Sequence, residues 1–309
     1  MSWIIWGLAA VPVRVVGETA VIVFDGERNL ALFLYPLSIV GSLYALLGKG
    51  PSVSLPSAAF AIASCTTTVL RIHMGELRAP RRDGAFLVTD CLFPIVSMLL
   101  PGSLFNSELV FSMSLSAVAS WVCSANHIDG DEYLPLEQGD RSPPSGGCLP
   151  WLVLLSKSGE NLAFAYSIRR EGRPFIDIVF FRYLGSTVSA LMYNLLMDGS
   201  LSGSFNWFEG DYSFRNYALF LHKFLLEFLY MYFVSLGVAL SPNPGYPLLL
   251  STLYYPVLHM VRVPYLESYR KELLCVALYL QAISIFFLVF LGRHVDVRYN
   301  ITNLTLLPE

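Results

Sequence analysis

Apolar positions in this chain gather into runs near 20 residues long rather than into one-sided stripes. About 20 apolar residues are what an α-helix needs to cross the roughly 30 Å of bilayer hydrocarbon. Nine runs approach that length: Trp3 to Phe24, Asn29 to Leu47, Leu55 to Ile72, Ala85 to Leu100, Leu104 to Cys123, Phe175 to Met197, Tyr217 to Leu240, Tyr246 to Val261 and Leu273 to Leu291. The first is interrupted by Pro12, Arg14 and Glu18, and the eighth is short and opens on Pro247. The pattern predicts an all-α, polytopic integral-membrane helical bundle with about eight or nine transmembrane helices.

One long connection breaks the series. Residues 124–174 divide into an acidic Gly-, Pro- and Ser-rich stretch, His127 to Gly147, and an apolar stretch, Leu149 to Ser167. The first reads as a flexible linker and the second as a segment lying on or dipping into the bilayer surface. The organisation expected is a single membrane domain: N-terminal helices over 1–123, a cytosolic loop over 124–174 and C-terminal helices over 175–309. Arg71, Arg78, Arg81 and Arg82 before the fourth run, and Arg169, Arg170 and Arg173 before the sixth, mark the cytosolic side. Nine spans then put the C-terminus in the cytosol. The tail nevertheless holds two N-x-T sequons, at Asn300 and Asn303, which can be glycosylated only if it is lumenal. That placement requires the eighth run to be re-entrant or interfacial.

Composition agrees with the pattern. Hydrophobic residues make up 55% of the 309 and charged ones 14%, against roughly 25% charged in a soluble domain; the mean hydropathy is +0.56. A net charge of −3, with no basic tract, gives no reason to expect a nucleic-acid partner. The five cysteines, Cys65, Cys91, Cys123, Cys148 and Cys275, form no C-x-x-C pair; they read as small apolar packing residues rather than a disulfide framework or a metal site. Met1-Ser-Trp-Ile-Ile-Trp has no basic n-region, so a removable signal peptide is not expected.

Ionisable groups inside spanning helices are costly and mark functional sites by default. Asp90 lies in the fourth run, four residues before Pro94, which can kink a helix toward a cavity; it is either a carboxyl lining a buried pocket or an interfacial acid paired with Arg82 or Arg71. Glu227 follows Lys223 by four residues and precedes Tyr230 by three; it either neutralises Lys223 on one helix face or serves as the acid or base of a polar site. His259 sits deep in the eighth run, as a general base or as a structural imidazole bonded to a neighbour. Along the sixth run Arg182, Ser186, Ser189 and Tyr193 recur at spacings of four, three and four. They form one polar stripe, which lines a cavity or bonds neighbouring helices. The candidate catalytic residues are therefore Asp90, Glu227 and His259, and the candidate pocket comprises Arg182, Ser186, Ser189, Tyr193 and Tyr230.

No phosphate-binding glycine loop, H-E-x-x-H, desaturase His-box or nucleophile elbow is present. Paired aspartate motifs for magnesium–diphosphate chemistry are also missing, which argues against a UbiA-like prenyltransferase. No cofactor or metal is expected.

The stretch Leu149-Pro-Trp-Leu-Val-Leu-Leu-Ser-Lys-Ser-Gly-Glu-Asn-Leu-Ala-Phe164 leads to the basic, Pro-containing Ile168 to Pro174, then to Phe181-Arg-Tyr-Leu and to Tyr193-Asn-Leu-Leu-Met-Asp198. This order resembles the middle of fungal wax-synthase-like membrane acyltransferases, over about 50 residues. The resemblance implies acyl transfer to a lipophilic acceptor by a membrane transferase. That family carries a Phe-Trp…Trp-His motif in its C-terminal third. Here no Trp follows Trp207, and only Tyr254, Tyr255 and His259 occupy the comparable region. A diverged member could instead cyclise a terpenoid with a protonated carboxylic acid, Asp90 or Glu227, between aromatic walls.

Two classes of function follow. One is a membrane-bound biosynthetic enzyme of terpenoid, lipid or secondary metabolism, in the endoplasmic reticulum or another endomembrane, its partners the bilayer and a lipophilic small molecule. The other is a non-catalytic membrane subunit or scaffold; a transporter is a more distant third.

Overall fold

The computed structural model describes residues 2–21, 31–76, 82–125, 149–198, 214–262 and 271–305. Among them there is no strand. The helices are α1 (Ser2–Val21), α2 (Ala31–Leu47), α3 (Leu55–Glu76), α4 (Arg82–Val96), α5 (Val110–Ala125), α6 (Leu149–Arg169), α7 (Phe175–Asp198), α8 (Phe214–Leu240), α9 (Gly245–Ser251), α10 (Tyr254–Arg262) and α11 (Lys271–Thr305). Short 3-10 turns, Ser97–Leu99 and Ser107–Leu109, lie between α4 and α5. The protein is therefore all-helical.

Local chemistry sets several ends. Gly48, at φ +62°, follows α2, and the Lys49 N–H donates to Tyr44 O at 3.2 Å; a glycine there closes a helix without the steric cost that a Cβ brings. Ser54 and Ser57 cap α3 reciprocally, each hydroxyl accepting from the other's backbone N–H at 3.3 and 2.8 Å. At the turn from α6 to α7, Arg173 donates to Ser52 and pairs with Asp177 at 3.6 Å, and Tyr44 and Ser52 also donate to Asp177.

The helices fall into two units. The first holds Met1–Val15, Pro80–Ser145 and Phe233–Glu309, the second Val16–Ala79 and Gly146–Tyr232. In the first, α5 is central, packed on α4, α10 and α11, with α9 against α4. In the second, α3 is central, packed on α6 and α7, with α2 also against α7. Gly185 allows the α3–α7 approach, since a Cβ there would lie 2.2 Å from Ala61 O.

Beside the apolar core, α5 and α11 bury small polar groups and expose several large apolar ones. On α5 the serines 112, 116, 120 and 124 are all buried, whereas Phe111, Val118 and Trp121 are exposed. On α11 Gln281 and Ser284 are fully buried, whereas Tyr279 and Phe286 are 69% and 65% exposed. Ser112 and Ser284 exchange bonds to each other's carbonyls at 2.7 Å each, and Ser116 meets Ser284 at 2.6 Å.

Among the described residues, three helical stretches are long and apolar enough to cross a membrane: Leu55–Met74, Phe175–Met197 and Glu272–Leu291. Shorter apolar helices cover Phe33–Leu47, Gly84–Leu99, Val110–Ser124 and Phe224–Leu240. The eighth run differs from its reading as one span. It is two short helices, α9 and α10, parted at Thr252 and Leu253, and residues 241–252 are buried throughout. Ser241-Pro-Asn-Pro-Gly precedes α9 and cannot continue α8. The stretch read as a surface segment is α6, one continuous helix packed on α3. The linker half of that loop, including His127, lies outside the described residues, as does Trp207.

Candidate functional site

The sequence candidates divide between the units. Asp90 and His259 belong to the first. Asp90 is buried on α4 beside Cys91, whose Sγ lies 3.9 Å from both Ser120 Oγ and Thr252 Oγ1. The Gln281 amide donates to Thr252 at 3.1 Å. Gly245 packs directly on Pro94, where a Cβ would lie 2.4 Å from the Pro94 nitrogen. The Pro94 carbonyl accepts from Ser97 at 2.8 Å and from Asn243 at 3.0 Å. The side chain of Arg82, one proposed partner of Asp90, lies outside those described. His259 is buried on α10 with its ring edge-on to Tyr255 at 4.5 Å. Arg14 of α1, which breaks the first apolar run, stands over the Tyr254 ring at 4.0 Å; the quadrupole of the ring takes up the charge.

Glu227, Tyr230 and the α7 stripe belong to the second unit. The stripe splits by role along its length. Ser186 bonds Thr68 at 3.0 Å, Ser189 donates to Cys65 O at 2.7 Å, and Tyr193 meets His73 Nδ1 at 3.4 Å. These three residues face α3. Arg182, at the head of the stripe, does not. Its guanidinium lies 3.9 Å from Glu227 Oε1 and is electrostatically coupled to Glu160, Tyr183 and Tyr230. The side chain of Lys223, the other expected partner of Glu227, lies outside those described.

Glu160 was not anticipated as a site residue. It is 5% exposed on α6, accepts from Lys157 at 2.8 Å and from Ser64 of α3 at 3.2 Å, and shares Arg182 with Glu227. Asn161 is buried next to it, and Ser156 bonds Thr67 at 2.9 Å. Lys157, Glu160, Arg182 and Glu227 thus bring two cations and two carboxylates together from α6, α7 and α8. The sequence signal was the i,i+3 Lys157–Glu160 pair within an otherwise apolar stretch.

Aromatic rings of α7 and α8 pack on one another near Glu227 in the sequence. Phe175 meets Phe228 at 4.7 Å and Tyr232 at 5.3 Å, both edge-to-face. Phe224 lies 6.1 Å from Phe228 and 6.4 Å from Tyr183. Such a setting can hold an apolar chain against ring faces, offer a carboxyl group for proton transfer and stabilise positive charge. Among the described residues no three His, Cys, Asp or Glu side chains gather as a metal site would require. Asn300 and Asn303 fall in the last turns of α11, where only the backbone is described.

No family model matches the chain, and no curated protein matches it significantly. Its fold is shared with solved structures. One crystal structure of a protein aligns with a TM-score of 0.68 at 14% identity, covering 96% of this chain and 99% of that one. At that identity the likeness shows the fold alone.

Proposed function

We propose that the chain is a polytopic integral-membrane enzyme that modifies a terpenoid or other lipophile at the Glu160–Arg182–Glu227 cluster. The membrane reading is supported by the inside-out distribution of polarity, with serines and Gln281 buried and aromatic and aliphatic side chains outermost. Such surfaces find their solvent in lipid. Among the described residues three helices have spanning length and four shorter apolar ones accompany them; a bundle of about eight or nine spans, in an endomembrane such as the endoplasmic reticulum, is part of the proposal.

One observation carries the catalytic reading: the Arg182 guanidinium lies 3.9 Å from the Glu227 carboxylate and within the electrostatic reach of Glu160. The Arg182–Glu227 pair, with side chains 28% and 35% exposed, is a poor stabilising device, because solvent screens it and ordering two long side chains offsets the attraction. Its retention at this position points to use. Glu160 is tied to Lys157 and Ser64. Glu227 is the carboxyl among the rings, and it is assigned the proton transfer. In a cyclisation the protonated form of Glu227, released from Arg182, gives its proton to a substrate double bond or oxygen. The π electrons of the chain close the ring, and the cation loses a proton back to a carboxylate. The net change is isomerisation, with no co-reactant.

A second reading has its own support. Ser186, Ser189 and Tyr193 are engaged in helix–helix bonds, as the polar groups of a non-catalytic membrane subunit would be. Acyl transfer, implied by the resemblance to wax-synthase-like enzymes, would instead run through His259. An untargeted lipid and terpenoid profile of cells expressing the chain, beside cells expressing Glu227→Gln, separates these readings. A product present with the first and missing with the second, at equal membrane abundance, supports the enzyme. Identical profiles favour the subunit.

A further inference from the structure

Contacts along α3 fix how α6 runs beside it. The Phe60 and Phe164 rings lie 6.0 Å apart, Ser64 donates to Glu160 at 3.2 Å, and Thr67 bonds Ser156 at 2.9 Å. Each step up α3 is matched by a nearly equal step down α6. The same register continues past the helix ends, where Ser54 donates to Glu171 at 2.9 Å. α6 is therefore antiparallel to α3 and packed along it. Its 21 residues rise about 31 Å, the thickness of bilayer hydrocarbon. Its partner α3 carries Leu55–Met74, one of the stretches long and apolar enough to cross a membrane.

α7 runs the other way from α6. Gly185 packs on Ala61 O, Ser189 donates to Cys65 O at 2.7 Å, and Tyr193 meets His73 at 3.4 Å, so α7 is parallel to α3. One end of this group holds Ser52, Ser54 and the turn from α6 to α7, where Arg173 donates to Ser52 at 2.8 Å. The other end holds the last turn of α3, the Leu149 end of α6 and the Asp198 end of α7.

The polar residues of α6 are engaged within the group. Glu160 and Asn161 are buried, Ser156 bonds Thr67, and Lys157 pairs with Glu160 at 2.8 Å. Trp151, Leu152, Leu155 and Tyr166 are exposed instead. A helix whose polar groups meet neighbouring helices and whose outer face is apolar is suited to lipid.

Resting on the reading of the chain as an integral-membrane protein, we infer that α6 is a transmembrane helix in its own right. Residues 124–174 are then not one loop on one side. The turn after α6, with Arg169, Arg170 and Arg173, lies across the membrane from residues 126–148, which precede α6. Arg71 and the chain that follows α3 share the side of residues 126–148. The two arginine groups that charge counting puts on one side thus stand on opposite sides, and Glu160, the twelfth residue of α6, falls near mid-depth.

The test is labelling of single cysteines in sealed membrane vesicles from expressing cells. Arg170→Cys and Glu137→Cys are each placed in the full chain with its five native cysteines changed to Ala. A membrane-impermeant maleimide should label one of the two in intact vesicles, and the other only after detergent opens them. The unmodified chain gives a second measurement free of those substitutions: trypsin added outside intact vesicles should cut at only one of Arg141 and Arg170. Labelling of both cysteines in intact vesicles, or of neither until detergent is added, would overturn the inference if the protein resists a carbonate wash. So would cleavage at both arginines. Release of the protein by carbonate would instead sink the membrane reading on which the inference rests.

Discussion

Glu160 and Glu227 both face Arg182, but their surroundings assign them different work. Glu160 is nearly inaccessible and bonded by two helices, so removing its charge strands Lys157 and Arg182. Glu160→Gln should therefore cost about 3 kcal/mol of stability or more, seen as a lower Tm in detergent, whereas Ser186→Ala should cost about 0.6 kcal/mol. Equal, small losses would show that Glu160 is not compensating buried charge. Glu227→Gln should leave Tm near that of the wild type and act on product instead. Glu160 escaped the sequence for a physical reason. Ser156, Lys157, Ser158, Glu160 and Asn161 dilute the hydropathy of the stretch, so α6 reads as a surface segment. Of these, Glu160 and Asn161 are buried, and Lys157 and Glu160 form the α6 part of the cluster. Arg182 and Glu227 were legible, because a charge in an apolar run stands out by itself.

At the scale of elements, backbone contacts decide what each helix can do. α7 lies so close to α3 at Gly185 that a methyl group would overlap Ala61 O. Gly185→Ala should force the helices apart, break the Ser189–Cys65 bond and lower Tm by more than Ala substitutions at outward sites such as Leu196. A Gly185→Ala protein as stable as the wild type would mean that this crossing is not tight. Apolar runs of spanning length predicted α2, α3, α7 and α8 closely, since length and composition specify such helices without knowledge of their neighbours, whereas α5 starts only at Val110 and α11 continues past Leu291 to Thr305. The eighth run was another matter. A window average sees its leucines and tyrosines, not the turn at Thr252 or the way Asn243 bonds Ser97, Pro94 O and the Gly245 N–H. The contacts with Ser97 and Pro94 come from residues distant along the chain. The same limit hid the fate of the α7 stripe: spacing showed that its members share a face, but not that most of that face meets α3.

For the whole molecule, the division into two units separates candidates that the sequence could only pool. Asp90 and His259 lie in one, Glu227 and the α7 stripe in the other. Nothing in periodicity or composition specifies which helices group together. The all-helical character was legible from the apolar runs, and the inside-out polarity gives it a solvent. The full chain, expressed in cells, should stay in the membrane pellet through an alkaline carbonate wash and leave it only with detergent; release by carbonate would contradict the integral-membrane reading. The central claim is that chemistry occurs at the cluster around Arg182 rather than at the buried histidine. It is tested most directly by quantifying the product in cells expressing Glu227→Gln beside cells expressing His259→Ala, at matched membrane abundance. The account predicts a fall of about 100-fold or more for Glu227→Gln and a near-normal yield for His259→Ala. Loss with His259→Ala and survival with Glu227→Gln would contradict it and return the chain to the acyl-transfer reading.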